Sequence, residues 1–369
     1  MLKILKLIAA VILFAAAILL FSADSSAADF GTDELYEVLP EESREYLEEN
    51  NITPENNGFS DMSITDILND IVNIVTDNIE KPGRMLISLI GVILLTTLFS
   101  ALRGDSVNKS YDKALSLVSN LCVTIIVSVY LSESLTLISS VLSSSSNFML
   151  TYIPILAGVM AAEGQASSAT VFSSVMMIAI ELMSQAATGI LLPFLSTVLG
   201  ISAAGGINPD LKLEKLTDGI KKVSIWLLGL IMTLFIGILS LQSSISVSKD
   251  SIALKAVRFA VSSSVPFVGG AVSDALATVK TSVQLIKSGI GSFGIIAGAS
   301  ILLPTLINTL IYKFFLFIGK TIGDIFGNDN VTNMIKSGEN VMSIILAIIS
   351  CFFVFVTVST ALVLIICRS

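Results

Sequence analysis

Histidine is absent from this 369-residue chain, and charge is scarce, with Asp, Glu, Lys and Arg making up 14% of it. Without histidine the chain lacks the usual general base, the commonest metal ligand and the side chain that switches near neutral pH. Soluble domains carry about 25% charged residues, so the low charge excludes a soluble or disordered chain as the bulk reading. Cys122, Cys351 and Cys367 are the only cysteines, far apart in apolar runs. That spacing fits neither a metal site nor a disulfide framework. The net charge of −8 argues against nucleic acid as a partner, because phosphate binding needs clustered Lys and Arg. A phosphate-cradling GxxxxGK[ST] loop is also missing, so the chain does not itself hydrolyse nucleotide. These gaps lead us to expect no enzyme and no catalytic, cofactor-binding or metal-ligating residues.

Apolar sequence fills the chain, which is 53% hydrophobic with a mean hydropathy of +0.87. The expectation is an all-α, polytopic helical membrane protein. Residues 1–28 have the order of a secretory signal peptide: Lys3 and Lys6, an apolar run from Leu7 to Phe21, then Ser26-Ala27-Ala28. An uncleaved anchor helix is the other reading, and both send the next segment of the chain out of the cytoplasm.

Residues 29–83 differ in kind. Fifteen carboxylates face only Arg44 and Lys81, a net −13 that leaves +5 on the rest of the chain. Leu39-Pro40-Glu41-Glu42 opens a short helix, since Pro and early carboxylates suit a first turn. A turn-rich break runs from Asn50 to Gly58. A second helix is expected from about Ser63 to Glu80, with Ile64, Ile67, Leu68, Ile71, Ile74 and Val75 on one face. Asp66, Asn69, Asp70, Asn73 and Asp77 take the other face. With no basic residue before Lys81 this helix is a poor binder of anionic lipid. It is expected to pack on protein, either this chain or a partner.

Residues 84–369 hold seven apolar runs: Met85–Leu102, Leu115–Leu142, Phe148–Ala162, Val171–Leu192, Val223–Leu241, Ile290–Phe317 and Val341–Ile366. The third is marginal in length for a crossing and contains Pro154. The distribution of Lys and Arg predicts seven spans, with the acidic segment outside and the C-terminus in the cytoplasm. The connection from Gly200 to Lys222 fits badly: it falls outside despite Lys212, Lys215, Lys221 and Lys222.

Glu133, Glu181 and Lys313 fall within predicted spans. Ionisable groups at membrane depth face a bundle interior or a watery cavity, so an ion or substrate pathway is one reading. A polar tie between helices, or a snorkelling Lys313, is the other. A pair between Lys313 and either carboxylate is plausible. Near 252–289, an amphipathic basic segment leads into Val265-Pro266-Phe267-Val268-Gly269-Gly270-Ala271-Val272-Ser273-Asp274. Pro266 with Gly269 and Gly270 does not suit a helix interior, so this stretch reads as a re-entrant turn or a cytoplasmic connection. Gly294 and Gly298, and Gly319, Gly323 and Gly327, are four apart, a spacing that lets helices approach closely. The serine runs at 143–146 and 262–264 have no base beside them and read as loop and interface residues.

A signal peptide, the acidic Leu39-Pro40-Glu41-Glu42-Ser43-Arg44-Glu45-Tyr46-Leu47, several spans and Pro266-Phe267-Val268-Gly269-Gly270-Ala271-Val272-Ser273-Asp274 together resemble the stage III sporulation protein AE family of endospore-forming Firmicutes. The resemblance implies a membrane component of the channel complex between mother cell and forespore, in the mother-cell membrane around the forespore. It implies a permease-like or export-gate-like subunit, partnered by other channel subunits including a secretion-type ATPase, and needed for forespore development. Pro266, Gly269, Gly270 and Asp274 would form a gate or packing motif. Membrane lipid is the remaining expected partner. The competing hypothesis is an autonomous ion-coupled transporter that uses Glu133 and Glu181; no internal repeat supports it.

Overall fold

The computed structural model describes residues 32–53, 64–102, 109–162, 164–207, 215–235, 237 and 269–366. The expected signal peptide, residues 252–261 and Pro266 lie outside them. Every described element is a helix, and no strand occurs among the described residues. In chain order they are α1 (Thr32–Val38), α2 (Glu41–Glu49), α3 (Ile64–Asn78), α4 (Glu80–Leu102), α5 (Lys109–Ala162) and α6 (Ala166–Ser184). A π-helical segment, Gln185–Leu191, then leads into α7 (Leu192–Ile207). The last three are α8 (215–235), α9 (Gly269–Ile325) and α10 (Asp329–Ile366). Five of these stretches are long and apolar enough to cross a membrane: Glu80–Ala101, Ala114–Ala162, Ala166–Ile201, Gly289–Ile325 and Val331–Ala361.

The count differs from seven because the second and third runs fuse, and because the fifth run, Val223–Leu241, lies partly outside the described residues. The second and third runs are one helix of 54 residues, α5. The connection expected at Ser143–Asn147 is its middle, because serine and asparagine lower helix propensity only slightly and no glycine interrupts the stretch. At 1.5 Å per residue α5 is about 80 Å long, and the 57-residue α9 about 85 Å. The fourth run continues past Pro193. That proline cannot donate to the carbonyl four residues back, and the ladder widens into the π segment just before it.

Antiparallel contacts order the bundle. Thr96 and Ser119 share a 2.7 Å hydrogen bond between α4 and α5. Tyr130 of α5 lies 6.4 Å from Tyr312 of α9, and Tyr152 meets Ile290 further along. α9 is the hub, packing on α2, α3, α4, α5 and α10. The glycines set how closely it does so. A Cβ on Gly294 would lie 2.0 Å from Tyr152 Cζ, one on Gly298 2.7 Å from Val356 Cγ1, and one on Gly323 2.6 Å from Thr332 Oγ1. Gly319 meets only ordinary contacts, and Gly338 of α10 closes on Val127 at 2.8 Å. Gly327, at φ +68°, ends α9: its N–H donates to Asp324 O and that of Asn328 to Gly323 O. This pairing is the αL helix stop that glycine suits.

The acidic segment is part of the same core. Leu35, Leu39, Leu47 and Ile52 are buried, and Tyr36 packs 5.4 Å from Phe293 of α9. Its hydroxyl donates to Ile52 O, and burial with the Glu48 charge nearby pushes its pKa up to about 12. Arg44 donates to Glu37 O and Leu39 O, satisfying carbonyls at the end of α1. Ile71, Ile74 and Val75 of α3 are half-buried, whereas Asn69, Asn73 and Asp77 are exposed. Tyr46 fixes α3 to α2 through a 2.9 Å hydrogen bond to Asp70. The amphipathic helix thus packs on its own chain. Leu47→Ala should cost about 2 kcal/mol, seen as faster proteolysis of residues 32–78 with the remaining bundle intact.

Candidate functional site

The residues singled out from sequence do not come together. Glu133 pairs with Lys81 at the start of α4, and both side chains are about half exposed. Glu181 accepts a 3.1 Å hydrogen bond from Gln185 on the same helix, at the first residue of the π segment. Lys313 is half-buried on α9, with Lys221 and Glu339 as its electrostatic neighbours. The pair expected between Lys313 and either carboxylate is therefore not formed: α4 supplies the partner of Glu133, and Glu181 has its own within one turn. Gly269 and Gly270 form the first turn of α9, and Asp274 lies in the next, so from Gly269 onward the stretch is regular helix. A first turn tolerates glycine more readily than a helix interior does.

The structure gathers a different set between α8, α9 and α10. Asp218 accepts a 2.7 Å hydrogen bond from Asn340 Nδ2 and lies 3.4 Å from Lys336 Nζ. Lys221 Nζ donates to Asn340 Oδ1 at 2.9 Å, so this amide joins a carboxylate to an ammonium. Thr217 and Ser337 hydroxyls meet at 3.4 Å beside them. One turn away, Lys320 of α9 and Glu339 are 3.9 Å apart and mostly buried. The register makes this possible. α8 runs parallel to α10, with 217 against 337, 221 against 340, and Phe235 stacked 4.6 Å from Phe355 at the far end. The polar first turns of α8 therefore meet the third turn of α10, and apolar continuations meet below them.

Burial raises the pKa of Asp218, but the Asn340 hydrogen bond and the Lys336 and Lys221 charges outweigh it and hold the carboxyl below its ordinary value. A depressed carboxylate contributes stability that is present above its unfolded value near pH 4 and is lost as pH falls through the folded one. The thermal midpoint of the purified chain should drop on acidification below about pH 4. Asp218→Asn should reduce that drop.

A second polar tie lies deeper. Tyr152 of α5 is fully buried, stacks on Phe148, donates to Ile290 O at 3.2 Å and meets Thr360 Oγ1 at 3.2 Å. It joins α5, α9 and α10 at the point where Gly294 clears room for its ring. Sequence reasoning missed both clusters. A signal for the first existed: Lys215, Lys221 and Lys222 were the charges that fitted the topology badly, and Glu339 and Asn340 sit at the edge of an apolar run. Nothing local distinguishes Tyr152.

No cluster of His, Cys, Asp or Glu that could hold a metal ion occurs among the described residues. Comparison with known proteins matches residues 49–367 to the family model for stage III sporulation protein AE. The chain is 23% identical over 288 residues to stage III sporulation protein AE of Bacillus subtilis (strain 168). That match covers 74% of this chain and 70% of the relative. No solved structure matches.

Proposed function

The chain belongs to the stage III sporulation protein AE family, with the role in sporulation that the family name carries, and we propose that it is the permease-like subunit of a transport or secretion channel between mother cell and forespore. The observation that carries this reading is the Asp218–Asn340–Lys336 network with Lys221, Lys320 and Glu339, held among long apolar helices. A charged and amide network that ties three helices at the edge of their apolar runs supports a subunit held in one arrangement within a multi-helix assembly. The subunit sits in the mother-cell membrane around the forespore, with the acidic segment exported. The expected cytoplasmic C-terminus is not kept, because α10 ends on the same side of the bundle as that segment, with Thr360 meeting Tyr152 beside Ile290 and Phe293 packing on Tyr36. It carries out no chemistry itself: a secretion-type ATPase supplies energy, and the other channel subunits complete the conduit. The buried face of α1 and α2 supports an acidic segment that stays docked on the bundle, presenting its carboxylates to those subunits. The autonomous-transporter reading draws less support, because Glu133 and Glu181 are exposed and separately partnered.

In a sporulating cell deleted for this chain, forespore development should arrest after engulfment. The tagged chain should purify with the ATPase and at least one further membrane subunit. Normal spores, or a chain that purifies alone from sporulating cells, would contradict the proposal.

A further inference from the structure

The first turns of α8 carry more cation than the polar network uses. Lys221 is held by Asn340, and Asp218 is answered by Lys336 and Asn340. Lys222 has no ion pair among the described residues and is exposed. It borders a shallow, open cleft of about 440 Å³ whose described lining, Asp218, Lys221, Lys222, Ile225 and Trp226, all comes from α8 itself. From Lys222 the same helix face continues at four-residue steps through Trp226, Leu230 and Leu234, which are 66%, 40% and 57% exposed. Residues four apart stack along one side of a helix, so the three apolar side chains form a ladder about 12 Å long beneath the ammonium. Gly229, beside that ladder, has nothing within 4 Å of where a Cβ would stand.

A cationic head, an aromatic at its edge and an apolar track below are the complement of one kind of molecule. We propose that this face of α8 seats an anionic phospholipid. Its headgroup phosphate lies on Lys222, with Lys221 behind it, and one acyl chain runs along Trp226, Leu230 and Leu234. Lysines near a membrane surface attract anionic headgroups, and tryptophan occupies the interfacial level between headgroup and chain. Asp218 at the cleft wall does not repel the phosphate, because its charge is already matched by Lys336. The seat also accounts for Lys221 and Lys222, two of the four lysines that fitted the charge distribution badly.

Trp226 is the only tryptophan in the chain and stands within the site, so its fluorescence reports occupancy directly. Full-length protein in neutral detergent is titrated with brominated phosphatidylglycerol or brominated phosphatidylcholine. Phosphatidylglycerol should quench Trp226 at a markedly lower mole fraction. Lys222→Gln, an exposed change that leaves the fold intact, should shift the phosphatidylglycerol curve by about fivefold toward that of phosphatidylcholine. Inorganic phosphate at matched ionic strength should not displace the lipid, since it has no chain to lie on the ladder. Three results would overturn the proposal: coincident curves for the two lipids, an unshifted curve for Lys222→Gln, or displacement of the lipid by inorganic phosphate.

Discussion

Gly294→Leu should abolish stable folding, or cost on the order of 4 kcal/mol if the chain still folds. Even the first added carbon would stand 2.0 Å from Tyr152 Cζ, 2.1 Å from its hydroxyl and 2.5 Å from Cε2. The ring has nowhere to go, because Tyr152 is fully buried and stacked on Phe148. Expelling it breaks the bonds to Ile290 O and Thr360, where hydrogen bonds tie α5 to α9 and α10. The protein in detergent should lose its cooperative thermal transition or unfold far below the wild-type midpoint. Gly91→Ala is the matched control: nothing lies within 4 Å of that position, and the midpoint should hold or rise slightly. A Gly294→Leu protein as stable as wild type would mean that α5 and α9 do not meet there.

Asp218→Lys should cost about 1–2 kcal/mol, discounted for the partial exposure of the pair, and loosen α8 on α10. The substitution removes the acceptor of Asn340 and places a third ammonium beside Lys336 and Lys221. Exchanging the pair, Asp218→Lys with Lys336→Asp, restores opposite charges at 3.4 Å spacing and should recover at least half of the loss. The readout is cross-linking between cysteines placed at 217 and 337, whose hydroxyls now meet at 3.4 Å. Cross-linking should fall in the single variant and return in the exchange. If the exchange is no better than the single variant, the pairing of α8 with α10 is wrong.

Composition alone identifies an all-helical membrane protein, because five long apolar helices arise from long apolar stretches whatever their packing. The register of Ile71, Ile74 and Val75 against Asn69, Asn73 and Asp77 was likewise readable, since a helix of period 3.6 separates them. Where a helix ends was less readable. Ser143–Asn147 reads as a loop by its polarity, yet serines continue a helix when both flanks are helical, and here the Ser145 and Ser146 hydroxyls are buried against neighbouring helices without a hydrogen-bond partner among the described residues. Gly294 and Gly298 marked a close approach correctly, but spacing cannot say that the neighbours are Tyr152 and Val356. The charged cluster was hidden for the same reason. Asp218 and Lys336 are far apart in sequence, and only the parallel register of α8 on α10 brings them together. Glu133 and Glu181 drew attention by lying in apolar runs, but a run does not reveal which helix face a residue occupies.

The central claim is that this chain conducts only as part of a powered assembly. The direct test is solute flux across vesicles reconstituted with the purified chain alone, and then with its channel partners and their ATPase. No flux should occur with the chain alone under an ion gradient, and ATP-dependent flux should appear once the partners are present. Gradient-driven flux by the chain alone, lost in Glu133→Gln or Glu181→Gln, would contradict the account.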